Sequence, residues 1–102
     1  MNRIKHFING EFVEAASGRL FDKHSPLDNR VIAQVSEAGR PEVDAAVGAA
    51  RAALEGPWGQ ITVAERVDLL YGVANEITRR LDDFVAAEMA DTGPPPPLLT
   101  HP

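Results

Sequence analysis

Cysteine is absent from this 102-residue sequence. No disulfide, thiolate metal site or cysteine nucleophile can therefore be built from it. Aromatic residues are scarce, at 6% with a single Trp. Much of the apolar content is Ala, which buries little area per side chain, so the core this chain makes alone is expected to be thin. No apolar run approaches the roughly 20 residues that span a bilayer. The charged start, Met1 to His6, has no apolar stretch behind it of the kind a secretory signal needs. Both absences lead us to expect a cytoplasmic chain with no membrane association. Basic residues are also in the minority: ten Lys and Arg stand against fifteen Asp and Glu, for a net charge of -5. Nucleic-acid binding depends on clustered cations that displace phosphate counterions, so this balance argues against it.

What remains is ordinary globular material, 44% hydrophobic and 25% charged, enough for one small domain or part of a larger one. Asn9-Gly10 lies between short apolar segments and supplies the positive φ angles of a type I′ turn, which predicts a hairpin over residues 5–14. Ser17-Gly18 breaks the chain, and Arg19 to Asp22 reads as a short extended piece. Ser25-Pro26-Leu27-Asp28-Asn29 is a turn cluster. Val31 to Val35 is a β-branched strand with Val31, Ala33 and Val35 on one face.

At Gly39-Arg40-Pro41 the period changes. Pro41 suits the first helical position, Val43, Ala46, Val47, Ala50 and Leu54 recur at helical spacing, and Gly56-Pro57 ends the run. Glu42 and Asp44 sit in the first turn, where the helix dipole favours anions. Residues 58–61 read as a linker. Thr62 with Glu65 fits a capping box, opening a helix with the stripe Val63, Val67, Leu70, Ala74, Ile77 and Leu81. Asp82 or Asp83 is expected to cap a third helix that stops at Gly93. Pro94 to Pro97 favours polyproline II and leads into a tail expected to be loose.

Candidate chemistry is sparse. His6, His24 and His101 show no metal-ligand spacing and read as surface or tail residues. Asp82 and Asp83 are adjacent on a helix and point apart, so they do not converge on a substrate. Gly56-Pro57-Trp58-Gly59 follows a helix, whereas a dinucleotide cradle needs a strand before it. The prolines are a weak ligand for an aromatic groove, lacking flanking Arg or Lys. Arg79-Arg80 reads as a solvated face or a source of salt bridges.

As an ordered set, residues 5–93 resemble the N-terminal region of the aldehyde dehydrogenase superfamily. The pieces are Phe7-Ile8-Asn9-Gly10-Glu11-Phe12-Val13, the Ser25-Pro26 turn in place of an Asn-Pro turn, the strand Val31 to Val35, the segment Glu42 to Ala53, Trp58 with Glu65-Arg66, and Asp91-Thr92-Gly93. His6 to Gly10, Glu37 to Arg40, Gly56 to Gly59 and Thr62 to Arg66 are similar to the enzymes acting on 2-hydroxymuconic and 2-aminomuconic semialdehydes. The resemblance implies an α/β parent fold, in which this chain is a β-hairpin and short strands followed by three helices. Residues 1–93 would form an incomplete N-terminal part of the cofactor-binding domain, and 94–102 a proline-rich tail.

The resemblance also implies chemistry located elsewhere. The family oxidises an aldehyde with NAD or NADP through a cysteine thiolate, a glutamate that activates water and an asparagine that holds the oxyanion. All of these lie downstream of the matching region. No catalytic or cofactor-binding residue therefore carries over, and no cofactor is expected to bind this chain alone. The parent is expected to be a homo-oligomer acting on a small aldehyde. One metal role is implied: Asp91 matches an acid that, with a carbonyl near His24, binds a monovalent cation in some members. A plain helical role for Asp91 stands beside it. The likeness is read as ending at Pro94, as expected of a truncated or altered product of a longer gene. The alternative is a non-enzymatic module that binds a partner through exposed helical stripes or the proline tail.

Overall fold

The computed structural model describes residues 2–93; the expected tail over 94–102 lies outside them. Two compact units appear. The first comprises residues 2–24 and 31–60, the second residues 25–30 and 61–93.

The first unit begins with β1 (Asn2–Ile4), β2 (His6–Ile8), β3 (Glu11–Val13), β4 (Leu20–His24) and β5 (Val31–Ser36). Asn9 (φ 53°) and Gly10 (φ 80°) are both left-handed, as a type I′ turn demands. The expected hairpin forms around them, with β2 and β3 antiparallel and Ile8 opposite Glu11. Phe7 and Phe12 face each other across it, with ring centroids 4.9 Å apart and ring planes inclined at 60°. Edge-to-face pairs of this kind add about 0.5–1.5 kcal/mol beyond area burial. β5 is the expected strand and is the centre of a three-stranded sheet ordered β1-β5-β4. β4 runs antiparallel to β5 and β1 parallel to it, with Asn2 opposite Ala33. Ala33 and Ser36 are the buried residues of β5, and its remaining residues are half-buried, so both faces are partly covered rather than one alone.

α1 (Arg40–Glu55) follows, with Gly39 as its N-cap. Pro41 therefore occupies the second helical position rather than the expected first, and only Glu42 falls in the first turn. The expected linker over residues 58–61 is largely helical. Pro57–Gln60 forms a helical turn, α2, packed on the end of α1. Pro57 starts it with φ already near the helical value.

In the second unit the turn cluster closes through Ser25 N–H to the Arg30 carbonyl (2.8 Å) and Asn29 N–H to the Ser25 carbonyl (2.9 Å). α3 spans Val63–Arg79 and has the expected capping box: Thr62 Oγ1 accepts from Glu65 N–H, and Thr62 N–H donates to Glu65 Oε1. α4 spans Leu81–Thr92. Arg80 is at once the C-cap of α3 and the N-cap of α4, so Asp82 and Asp83 are first-turn residues and not caps. Leu81 likewise belongs to α4 and not to the stripe of α3. Gly93 ends α4 in the left-handed conformation, as its position after the last periodic residue predicts.

Candidate functional site

The β5–α1 junction is a strand that runs through a glycine into a helix N-terminus, the arrangement that cradles phosphate in dinucleotide-binding folds. Here the junction is already filled. Glu42 folds back so that one carboxylate oxygen accepts from Gly39 N–H at 2.8 Å. The other accepts from Ala16 N–H at 3.2 Å, from the turn after the hairpin, 26 residues away in sequence. Glu42 is buried. Its carboxyl is held below the ordinary value of 4.5 by the Gly39 N–H first, then by the Ala16 N–H, with a smaller contribution from His6. An anion thus occupies the amides that a pyrophosphate would need, and a second anion would be repelled. The residues at this junction do not fit a dinucleotide phosphate.

The other sequence-derived candidates stay apart. His6 is half-buried beside α1, where it lines a concavity with Glu42, and is not the surface residue expected. His24 is exposed at the end of β4, and His101 lies outside the described residues. Arg79 pairs with Glu76 through two contacts and pulls the Glu76 carboxyl below its ordinary range. Arg80 pairs with Asp83 at 3.7 Å. The basic pair therefore makes salt bridges, as expected. Asp91 is exposed in the last turn of α4. Among the described residues no group of three or more His, Cys, Asp or Glu gathers to hold a metal. No described helix is long and apolar enough to cross a membrane.

Glu42 is the residue that sequence reasoning missed as a structural centre. A Glu three positions after the N-cap is a recognisable signal for the bond to Gly39, whereas the bond to Ala16 has no local signal.

The second unit carries an apolar surface feature. An open groove of about 520 Å³ runs along α3 to the start of α4, lined by Asp68, Leu69, Gly72, Val73, Glu76, Ile77, Arg80 and Phe84. Val67, Leu70, Tyr71 and Ala74 line another concavity on α3. Leu69 (53%), Leu70 (62%), Tyr71 (68%) and Val73 (57%) are all exposed. At 100° per residue the arc from Leu69 through Val73, Ile77, Leu70 and Val67 to Tyr71 covers about 200° of the helix, against about 100° for a helix that buries one face.

A chain with this hairpin, this sheet and no cysteine matches the aldehyde dehydrogenase family over residues 12–99. The chain belongs to that family. The match passes through the proline tract, so the likeness does not end at Pro94. Among curated relatives, the 2-hydroxymuconic semialdehyde dehydrogenase of Pseudomonas sp. (strain CF600) is 58% identical over 101 residues, covering 99% of this chain and 21% of that protein. The 2-aminomuconic 6-semialdehyde dehydrogenase of Pseudomonas sp. is 50% identical over 95 residues, covering 93% of this chain and 19% of its own length. The NAD+ complex of aldehyde dehydrogenase from Bacillus cereus superposes with a TM-score of 0.89 at 43% identity, covering 95% of this chain and 20% of that one. The chain thus spans about a fifth of the length of the relatives it matches.

Proposed function

We propose that this chain is the N-terminal segment of an NAD-dependent dehydrogenase that oxidises 2-hydroxymuconic semialdehyde to the acid, and that it acts as scaffold rather than catalyst. The observation that carries the substrate class is the 58% identity to the enzyme of that name. The scaffold role is supported by composition, since a thiolate mechanism needs a cysteine and the chain has none. It is supported as well by the Glu42 carboxylate, which fills the one strand-to-helix junction of this kind among the described residues. The apolar arc of α3 is then a packing surface for the other four-fifths of the parent. When NAD binds the parent it supplies the hydride acceptor. The part played by these residues is to set the orientation of the sheet and helices around that site.

A chimera tests this reading: the chain replaces the matching segment of the Pseudomonas enzyme, and NAD+ reduction is followed with 2-hydroxymuconic semialdehyde. The expected outcome is an active chimera that keeps the enzyme's preference for its semialdehyde, with no activity from the chain alone. Turnover by the isolated chain would refute the scaffold role, and a chimera with altered substrate preference would refute the assignment to this enzyme type.

A cation role for Asp91 is part of the same proposal. It requires oxygen donors beyond the described residues, because Asp91 alone is a weak site. Loss of a potassium dependence in the Asp91→Asn chimera is the expected sign, and an unchanged dependence would leave Asp91 with only its helical role.

A further inference from the structure

The tip of the β2–β3 hairpin is chemically distinctive. Asn9 and Gly10 are both exposed, and the space where a Gly10 side chain would lie is open, with nothing within 4 Å. The backbone nitrogen of the residue after an asparagine is a potential nucleophile toward that asparagine's own side-chain amide carbon. Two things restrain it: a side chain on the following residue, and a hydrogen bond that engages the nitrogen. At Gly10 both are missing among the described residues. The chain's other asparagines are better protected. Asn29 precedes Arg30, whose N–H donates to Asp28 Oδ1 at 3.0 Å. Asn75 precedes Glu76 inside α3, where the nitrogen belongs to the helical ladder. Asn2 precedes Arg3 within β1, paired opposite Gln34.

We propose that Asn9–Gly10 is a built-in deamidation site whose isoaspartyl product cannot re-form the hairpin. The Gly10 N–H yields its proton to hydroxide, and its nitrogen bonds to Asn9 Cγ. The Cγ–N bond of the amide breaks, and ammonia leaves with a proton from water. Water then opens the cyclic imide. Opening at the side-chain carbonyl gives an ordinary aspartyl residue, and opening at the main-chain carbonyl routes the chain through the former side chain. No atom is oxidised or reduced.

Imide closure requires rotation of ψ and χ1 at Asn9, which the paired turn restrains, so conversion proceeds through openings of the hairpin. Such openings are frequent for three-residue strands whose rings are exposed, Phe7 at 63% and Phe12 at 72%. The isoaspartyl backbone carries an extra methylene. A two-residue turn of that length no longer matches the strand twist, so the Phe7–Phe12 pairing is lost and the change is self-locking.

The test is to age the purified chain at mildly alkaline pH and map all four asparagines by mass spectrometry and isoaspartyl labelling. The expected result is conversion concentrated at Asn9, faster as pH rises, with loss of the Phe7–Phe12 ring contact by NMR. Gly10→Ala separates chemistry from exposure. An alanine at φ +80° is strained and opens the turn, which alone would speed conversion, but its Cβ shields the nitrogen and is expected to suppress it. Asn9→Asp retains a good turn pair and is expected to keep the ring contact. The proposal is overturned if Asn9 converts no faster than Asn29 or Asn75, if Gly10→Ala converts as fast as the parent, or if the aged chain keeps its hairpin.

Discussion

Gly59 decides whether α2 can rest on α1. A Cβ built at Gly59 would lie 1.8 Å from the Leu54 carbonyl oxygen and 2.9 Å from its carbon. Both are backbone atoms in the last turn of α1, so no side-chain rotation relieves the contact. Gly59→Ala must push α2 away until the distance exceeds 3.0 Å, the limit below which real Cβ contacts do not occur. That movement strains the bond from Gly59 N–H to the Gly56 carbonyl, 3.0 Å long. Overpacking of this kind costs about 1–3 kcal/mol, which outweighs the gain of about 1 kcal/mol from replacing a helical glycine by alanine. Gly48→Ala is the internal control. Gly48 lies inside α1 with nothing within 4 Å of its would-be Cβ, so the same chemical change is expected to stabilise by up to about 1 kcal/mol. Urea titration read by Trp58 emission reports on this locus directly, because Trp58 is the sole tryptophan and sits beside Gly59 in α2. The expected result is a lower midpoint and an altered native emission for Gly59→Ala, and a raised midpoint for Gly48→Ala. Equal or higher stability of Gly59→Ala would refute the close approach.

Three further outcomes follow from the same structure. Thr62→Ala removes the side-chain acceptor for Glu65 N–H and is expected to cost about 1 kcal/mol, seen as a lower denaturation midpoint that Thr62→Ser largely restores. Glu42 has a folded-state pKa below 4.5, so its contribution to stability is present above that value and is lost as pH falls through the depressed one. Glu42→Ala should therefore lower stability at neutral pH and flatten the acid limb of the stability curve, measured by unfolding at a series of pH values. Leu70→Glu and Val73→Glu each place a charge in the exposed arc of α3. The exposed arc is expected to make the isolated chain self-associate, and each change is expected to reduce that association in sedimentation velocity while leaving the helical circular dichroism unchanged.

What was legible in the sequence is what is local. Asn9-Gly10 announces its hairpin because the turn angles are a property of two residues, and Thr62 with Glu65 announces α3 because both bonds close within four residues. β1 carries no such signal. Asn2 to Ile4 becomes a strand because β5, about thirty residues later, offers it an edge. The role of Glu42 was half legible: its bond to Gly39 is a spacing rule, but its bond to Ala16 depends on where the hairpin delivers that turn. α2 was hidden because Gly56-Pro57 reads as a stop and residues 58–61 as a linker, while the structure uses Pro57 to start a turn and Gly59 to fit beneath a carbonyl. Leu81 was assigned to α3 because the apolar period runs straight through Arg80, and only the shared cap there splits the helix. The missing cysteine, by contrast, was plain from composition, since no fold supplies a thiolate to a chain without one.

The breadth of the apolar arc on α3 bears on the choice between a self-sufficient module and a component. A module that binds one partner needs a single apolar face and keeps the rest of the helix wet. The arc from Leu69 to Tyr71 is about twice that wide, and it opens into two separate concavities, one toward α4 and one along Val67, Leu70 and Tyr71. Covering it takes protein on two sides of the helix, as for a helix held inside a larger fold. The relatives it matches are about five times as long. The width of the arc is what the proposed role as a component requires, beside the sequence identity that carries the substrate class.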